Sequence, residues 1–284
     1  MCGPPACPIL PGAVYTYPDH LRAAMADMPA APGVYVFHGD NDALPLYIGK
    51  SINLRSRVLS HLRNPAEQRL LRQTRRISYQ RTAGEIGALL LEAQLIKERY
   101  PLLNKRLRRK GRLCSLRLDD RAMPEIVYAQ DVDFAREPRL FGLFTSRIAA
   151  QQVLRTLADE HRLCLGALGL EKLPRGRACF RALVHKCGGV CRGDEPPAAH
   201  RERLQAALDQ HALACWPYPR AVGVLEQDGE QLQIHVVHNW CYLGTVDTLE
   251  AARALDSVAA GFDADSYKIL CRPLLSGQAR IVTL

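Results

Sequence analysis

The stretch GVYVFHGDNDALPLYIGKSINLRSRVLSHLR, from Gly33 to Arg63, decides the fold of this 284-residue chain. β-branched and aromatic residues alternate in two short runs, Gly33–Phe37 and Leu46–Lys50. A turn rich in Gly, Asp and Asn joins the two runs. The stretch therefore predicts two strands connected by a tight turn.

A helix should follow the second strand. Ser51 and Asn53 are both suitable N-cap residues, because their side chains can accept a hydrogen bond from the first helical turn. Apolar residues then repeat at four-residue spacing, at Leu54, Val58 and Leu62.

The predicted helix places two polar side chains near the strands. Arg57 and His61 are four residues apart and so share one helix face. Tyr35 and Tyr47 are offered by the two strands, and Lys50 ends the second one. Two phenols, a guanidinium, an imidazole and an ammonium group should therefore converge. A single strand tyrosine is usually a core residue, so it is the joint arrangement that indicates function.

This arrangement resembles the GIY-YIG nuclease domain, and most closely the nuclease at the N-terminus of UvrC. The matching residues are Gly33-Val34-Tyr35, Tyr47-Ile48-Gly49, and then Gly49-Lys50-Ser51, Asn53-Leu54 and Arg57. The short chain is similar to a single-nuclease relative of UvrC. The resemblance covers about residues 33 to 210 and is strongest up to Asn104.

Glu92 is the informative residue of a later predicted helix. Its neighbours one turn away are apolar, so a carboxylate there is costly unless a positive group meets it. An ion pair with Arg57 and a divalent metal site are the two alternatives. The resemblance favours the second, because the family's metal-binding glutamate and a following asparagine match Glu92 and Asn104 in LLEAQLIKERYPLLN. Mg²⁺ or Mn²⁺ suits one carboxylate with water completing the shell.

Composition points to a soluble globular protein that binds a polyanion. The formal charge is +9, and Lys and Arg outnumber Asp and Glu about threefold between Lys50 and Arg121. No apolar run approaches the length of a membrane helix. We expect a cytoplasmic monomer with no membrane contact and with DNA as its partner.

Four of the ten cysteines form the pattern Cys164-x14-Cys179-x7-Cys187-x3-Cys191. In a reducing compartment these thiols should bind metal or be buried rather than form disulfides. The order is similar to the cysteines that bind a [4Fe-4S] cluster in UvrC, and zinc or no metal are the alternatives. Basic residues that could offset the charge of the cluster or contact phosphates are Arg175, Arg177, Arg181, Lys186 and Arg192.

The expected fold class is α+β in several small domains. A partly disordered segment (1–28) precedes a GIY-YIG domain with a small antiparallel sheet and flanking helices (29–112). A connector with the cysteine-rich metal-cluster region (113–214) and a small α+β domain (215–284) follow. Further strands are predicted at Ile77–Arg81, Leu113–Leu118, Glu125–Tyr128, Leu140–Phe144, Ala221–Glu226, Leu232–Val237 and Tyr242–Val246.

Helices account for most of the remaining sequence. Thr82-Ala-Gly-Glu85 has the form of a capping box and should begin a helix that ends at Tyr100, before Pro101. Other helices are predicted at Ser146–His161, Pro196–Ala214 and Leu249–Ala260, with a short closing helix or strand near Tyr267–Cys271.

The resemblance implies a structure-specific endonuclease of nucleotide excision repair. It would nick damaged double-stranded DNA on the 3′ side of the lesion, together with UvrB. The implied roles are a metal ligand at Glu92, a transition-state cation at Arg57 and a general base at Tyr35 or Tyr47. Lys50 would assist the base, His61 would orient water and phosphate, and Asn104 would brace the site. The alternatives are a restriction or homing nuclease, and a non-catalytic iron–sulfur DNA-binding subunit.

Overall fold

A computed structural model describes residues 19–41, 44–104, 112–173, 177–255 and 261–284. The chain forms two compact units. The first comprises the residues up to Arg108 together with 226–233, and the second comprises 109–225 and 234–284. No helix among the described residues is both long and apolar enough to cross a membrane.

The first unit contains a three-stranded antiparallel sheet with helices on both faces. Its central strand is the first in the chain, and the strand order is β2-β1-β3. The elements are β1 (Gly33–His38), β2 (Tyr47–Ser51), α1 (Leu54–Arg63), α2 (Gln68–Gln73), β3 (Arg76–Arg81) and α3 (Glu85–Arg99). The predicted α+β arrangement of a small antiparallel sheet with flanking helices is confirmed.

Strand β1 is buried along its whole length because both of its faces are covered. Side chains alternate between the faces of a strand, so Tyr35 and Phe37 point to one side and Val34 and Val36 to the other. The first face packs against Leu54, Val58 and Leu62 of α1, and the second against Leu95 and Ile96 of α3. The two helices are thus held on opposite faces of one short strand.

Helix α1 begins as predicted. The side chain of Asn53 accepts a hydrogen bond from the backbone N–H of Ser56 at 2.9 Å, so Asn53 rather than Ser51 is the N-cap. Ser51 instead donates its hydroxyl to the carbonyl of Asn53 at 2.8 Å.

The capping box predicted for α3 is wrong. The N-cap is Gly84, which has no side chain, and the Thr82 hydroxyl donates to the carbonyl of Gly84. The carboxylate of Glu85 pairs with Lys50 instead of turning back to the helix end. The N–H groups of the first turn are bound by a residue far away in sequence, Glu226.

Residues 19–28 are the described part of the segment that we expected to be partly disordered. They form two short 3-10 helices, Asp19–Leu21 and Ala23–Met25. Leu21, Met25 and Met28 are buried and pack in the same core as Tyr35, and this burial explains their order. Residues 1–18 lie outside the described residues.

The rest of the chain contains two further antiparallel sheets, ordered β5-β4-β6 and β10-β7-β8-β9. The division between the two compact units falls within β7 and β8. The elements are β4 (Cys114–Leu118), β5 (Pro124–Tyr128), β6 (Leu140–Phe144), α4 (Arg147–Glu160), α5 (Phe180–Leu183), α6 (Pro197–Asp209), β7 (Val222–Asp228), β8 (Gln231–His238), β9 (Cys241–Val246), α7 (Leu249–Leu255), α8 (Ala264–Leu275) and β10 (Arg280–Thr283).

The elements predicted here are confirmed except at the C-terminal end. Helix α8 is a full helix of twelve residues where a short element was expected, and β10 was not predicted. The end of the helix predicted to reach Ala260 lies outside the described residues.

Gly49 leaves room for the two tyrosine rings of β1 and β2. A Cβ atom at this position would lie 2.4 Å from the hydroxyl oxygen of Tyr35 and 2.9 Å from the ring of Tyr47. We expect Gly49→Ala to lower the free energy of unfolding by about 1–3 kcal/mol, as overpacking in a core does. Thermal or denaturant unfolding measures this change.

The control for Gly49→Ala is Gly261→Ala, because a Cβ at Gly261 would meet nothing within 4 Å. If the two variants unfold alike, the close packing around Gly49 does not limit stability.

Candidate active site

Two tyrosines and a histidine meet on the face of the sheet that α1 covers. The ring centroids of Tyr35 and Tyr47 are 6.2 Å apart, and the His61 ring lies 5.3 Å and 5.8 Å from them. The strand register places Tyr35 opposite Gly49, which leaves room for both phenols. These three predicted site residues therefore form one cluster.

His61 connects Tyr35 to a carboxylate that the sequence analysis did not single out. Nε2 of His61 lies 2.7 Å from the Tyr35 hydroxyl, and Nδ1 contacts the carboxylate of Glu67. An ionised carboxylate only accepts hydrogen bonds, so Nδ1 carries the proton in neutral His61 and Nε2 accepts from Tyr35. Glu67 thereby fixes His61 Nε2 as the acceptor of the Tyr35 hydroxyl proton.

No local signal could have identified Glu67 as part of the site. It lies in the 3-10 turn Pro65–Glu67, beyond the end of α1, where helical spacing no longer relates it to His61. The visible local pattern is that of a cap, because the side chain of Asn64 accepts from the Ala66 N–H and donates to Glu67.

Arg57 lies at the exposed edge of this cluster. Its guanidinium hydrogen-bonds the Tyr35 phenol, and the contact raises the pKa of Arg57 while opposing the rise in the pKa of Tyr35. The side chain is otherwise exposed to solvent. It can therefore contact the tyrosine cluster and a phosphate from solution at the same time.

Burial raises the pKa of both tyrosines above the usual value for a phenol. Tyr35 is 1% exposed, and desolvation is the largest cause of its shift. Tyr47 is half-buried, and its pKa is also raised mainly by desolvation, while Arg57 and a hydrogen bond with Tyr35 act against the rise. Negative charge on Glu92 adds to the rise for both phenols, which places the carboxylate within electrostatic reach of them.

Glu92 is held at the end of β2. Its Oε1 accepts a hydrogen bond from the backbone N–H of Lys50 at 3.1 Å. Partial burial raises the pKa of Glu92, and Lys50 and Arg57 both oppose this rise. No ion pair between described residues joins Arg57 to Glu92. The backbone N–H of Lys50 is a single neutral donor, so the Glu92 carboxylate can still accept a cation.

Lys50 and Asn104 flank Glu92 at the same strand. The ammonium group of Lys50 donates to Glu85 at 2.5 Å. The side-chain amide of Asn104 accepts from the N–H of Ile48 at 3.0 Å and donates to its carbonyl at 2.8 Å. Asn104 thus completes the backbone pairing at the free edge of β2.

The four predicted metal-binding cysteines come together in the second unit. Their sulfur atoms all lie within 4.8 Å of one another, and three of the four residues are buried. Cys179 Sγ lies 3.9 Å from Cys164 Sγ and 3.6 Å from Cys191 Sγ. Backbone N–H groups also point at the cluster, from Gly189 to Cys187 Sγ at 3.3 Å and from Cys179 to Cys191 Sγ at 3.5 Å.

The spacing of these sulfurs fits one tetrahedral ion. Four thiolates bound to zinc at ~2.3 Å place neighbouring sulfurs about 3.8 Å apart. A [4Fe-4S] cluster would require the sulfurs to separate, because each thiolate binds a different iron. Burial and the neighbouring thiols raise the pKa of Cys164 to about 12, so a cation is needed before all four groups ionise together.

Comparison with protein families matches all three parts of the chain. Residues 31–105 match the UvrC-like GIY-YIG domain, and residues 113–210 match the middle domain of the UvrC/Cho excinucleases. Residues 221–284 match the C-terminal domain of excinuclease Cho.

Solved structures also resemble the first part of the chain. The GIY-YIG N-terminal endonuclease domain of UvrC from Thermotoga maritima, bound to magnesium, is 32% identical. The match covers 31% of this chain and 98% of that one, with a TM-score of 0.28.

Curated relatives extend over almost the whole chain. Excinuclease Cho of Escherichia coli (strain K12) is 56% identical over 272 residues, which is 96% of this chain and 92% of the relative. Excinuclease Cho of Salmonella typhimurium (strain LT2) gives the same values. The UvrABC system protein C of Caldicellulosiruptor saccharolyticus is 28% identical over 194 residues, covering 66% of this chain and 32% of that protein. The chain belongs to the Cho excinuclease family and is a GIY-YIG endonuclease of nucleotide excision repair.

Proposed function

We propose that this endonuclease uses one divalent cation, Mg²⁺ or Mn²⁺, at Glu92 to nick the damaged strand on the 3′ side of a lesion. We further propose that a UvrB-type protein brings it to the lesion and that it acts as a monomer. The observation that carries the chemical part is that two neighbouring phenols on β1 and β2 lie beside an exposed guanidinium, while a half-buried carboxylate accepts a backbone N–H of β2.

Tyr47 is the phenol that we assign as the general base. Tyr35 is almost fully buried and donates its proton to His61, whereas Tyr47 is half-buried and can reach a water molecule from solvent. The raised pKa of Tyr47 makes its phenolate a strong base once formed. The positive charge of Arg57 stabilises that phenolate.

Tyr35, His61 and Glu67 form a chain of hydrogen bonds next to Tyr47, the proposed base. Glu67 holds His61 in the tautomer that accepts from Tyr35, and this orients the Tyr35 oxygen toward Tyr47 and Arg57. His61 and Glu67 therefore act by positioning, since neither needs to contact the phosphate.

In this mechanism the cation at Glu92 and the guanidinium of Arg57 neutralise negative charge on the phosphate. A divalent cation at Glu92 would supply Lewis-acid stabilisation of the phosphate oxygens. Arg57 is exposed and can donate to the same phosphate, where the negative charge grows in the transition state. Lys50 fixes Glu92 through its backbone N–H and keeps its ammonium group on Glu85, close to the approaching DNA.

Basic side chains next to this site suit a DNA partner. The helices that follow β2 carry exposed arginines at positions that contact solvent, among them Arg63, Arg69 and Arg72. Such residues neutralise phosphates without reading sequence, which fits a nuclease that is directed by lesion structure and a partner protein.

We also propose that the four clustered cysteines hold a structural metal centre. The resemblance to UvrC favours [4Fe-4S], whereas the short sulfur distances favour one zinc ion. Neither candidate takes part in the cutting step proposed here.

Removing single groups from the tyrosine cluster should abolish cutting without preventing DNA binding. We expect Tyr47→Phe, Tyr35→Phe and Arg57→Ala each to slow nicking of a lesion-bearing duplex by about 100-fold or more, because general-base and charge stabilisation are lost. The assay contains UvrB and Mg²⁺, and fluorescence anisotropy measures DNA binding in parallel.

Tyr79→Phe is the matched control. Tyr79 lies beside Tyr35 on β3 and loses one hydrogen bond, to the carbonyl of Asp27, in the same chemical change. Cutting by Tyr47→Phe at the rate of Tyr79→Phe would exclude Tyr47 as the base.

Metal analysis of anaerobically purified protein should identify the thiol-bound group. About four irons per chain with absorbance near ~400 nm would establish the cubane cluster. One zinc ion and no colour would establish the tetrahedral site. We expect Cys187→Ser to lose the metal and Cys241→Ser, a cysteine outside the cluster, to retain it. Wild-type protein that contains neither metal contradicts the proposal.

A further inference from the structure

The N-terminus of α3 receives its cap from a distant part of the chain. The backbone N–H groups of Ile86 and Gly87 donate to the two carboxylate oxygens of Glu226, at 2.9 Å and 2.7 Å. These donors belong to the first helical turn, where no intrahelical partner exists. One side chain from about 140 residues later thus satisfies two of them.

Two further contacts attach the same segment to the start of the helix. Gln233 accepts the backbone N–H of Ala83 at 2.8 Å, and Asp228 pairs with Arg81 at 3.0 Å. Residues 226–233 comprise the end of β7, the two-residue turn and the start of β8, and they are grouped with the nuclease residues in the first compact unit. The cap is therefore one of several contacts between residues 226–233 and the start of α3.

Gly84 is required for this arrangement. A Cβ atom at Gly84 would lie 2.3 Å from the carboxylate carbon of Glu226. The missing side chain at the N-cap explains both why α3 lacks a local cap and how the carboxylate comes so close.

The capped end of α3 lies close to the residue that we assign to the cation. Glu92 follows Ile86 by six residues, or about 9 Å along the helix axis at ~1.5 Å per residue. The carboxylate of Glu92 meets the Lys50 N–H only if α3 has the correct axial position. A bidentate cap at the first turn restrains that position, and the negative charge of Glu226 also complements the helix dipole.

We propose that Glu226 is a positioning residue of the nuclease site, which fixes α3 so that Glu92 presents its carboxylate to the divalent cation. The proposal depends on the function of Glu92 proposed above. It gives residues 226–233, within the stretch that matches the Cho C-terminal domain, a direct part in the geometry of the nuclease.

The test is the cation dependence of nicking by full-length Glu226→Gln. The glutamine keeps the size of the side chain, but it has one acceptor oxygen and no charge. We expect the Mn²⁺ concentration for half-maximal nicking to rise about fivefold, which corresponds to the roughly 1 kcal/mol that a helix cap contributes if that energy serves to position Glu92. The rate at saturating Mn²⁺ should recover to within about twofold of wild type, since no group that contacts DNA has changed.

Glu230→Gln is the matched control. Glu230 is an exposed carboxylate in the turn that directly follows β7, and the variant loses the same charge. We expect its Mn²⁺ dependence to equal that of the wild type. Glu226→Asp, which retains the charge on a shorter side chain, should give a smaller shift than Glu226→Gln.

Three outcomes distinguish a failure of the Glu226 proposal from a failure of the function proposed for Glu92. A Mn²⁺ dependence of Glu226→Gln that equals Glu230→Gln overturns the inference. Equal loss of rate at every Mn²⁺ concentration, with a lower melting temperature, also overturns it, because it reveals only a stability role. Nicking by Glu92→Gln at the wild-type rate would instead remove the proposed function, independently of Glu226.

Discussion

The complete burial of β1 is the constraint on which the nuclease site depends. A strand alternates its side chains, so an apolar strand needs cover on both faces, and here a helix covers each one. Tyr35 and Phe37 hold α1 on one face, and Val34 and Val36 hold α3 on the other. Arg57 of α1 and Glu92 of α3 therefore come from opposite faces of the sheet, and the proposed mechanism requires both to reach one phosphate.

The polar groups inside this packing stabilise one another. A buried phenol and a buried imidazole are costly without hydrogen-bond partners. Here the Tyr35 hydroxyl donates to His61, and His61 in turn donates to Glu67. The same chain of contacts orients the phenol that we place behind the base. The same hydrogen bonds thus satisfy these buried polar groups and, in the proposed mechanism, orient the hydroxyl of Tyr35.

Local patterns predicted most of the fold and the core of the site. The strands, α1 and its Asn53 cap follow from alternation, four-residue spacing and a side chain that bonds its own neighbours. The cap of α3 could not be predicted, because Lys50 takes the carboxylate of Glu85 and Glu226 replaces it from far along the chain. Glu67 was missed because it lies in the 3-10 turn after α1, where helical spacing no longer relates it to His61. Helix α8 was predicted only as a short element near Tyr267–Cys271, whereas it begins at Ala264 and continues past Pro273 to Leu275.

We infer that one divalent cation is bound at Glu92, beside Arg57 and the paired phenols. Crystals of the full-length protein soaked in Mn²⁺ test this directly through anomalous scattering. We expect one strong anomalous peak within bonding distance of the Glu92 carboxylate, and its loss in crystals of Glu92→Gln. A Mn²⁺ peak elsewhere in the first unit, or a peak that persists in Glu92→Gln, would overturn the cation site at Glu92.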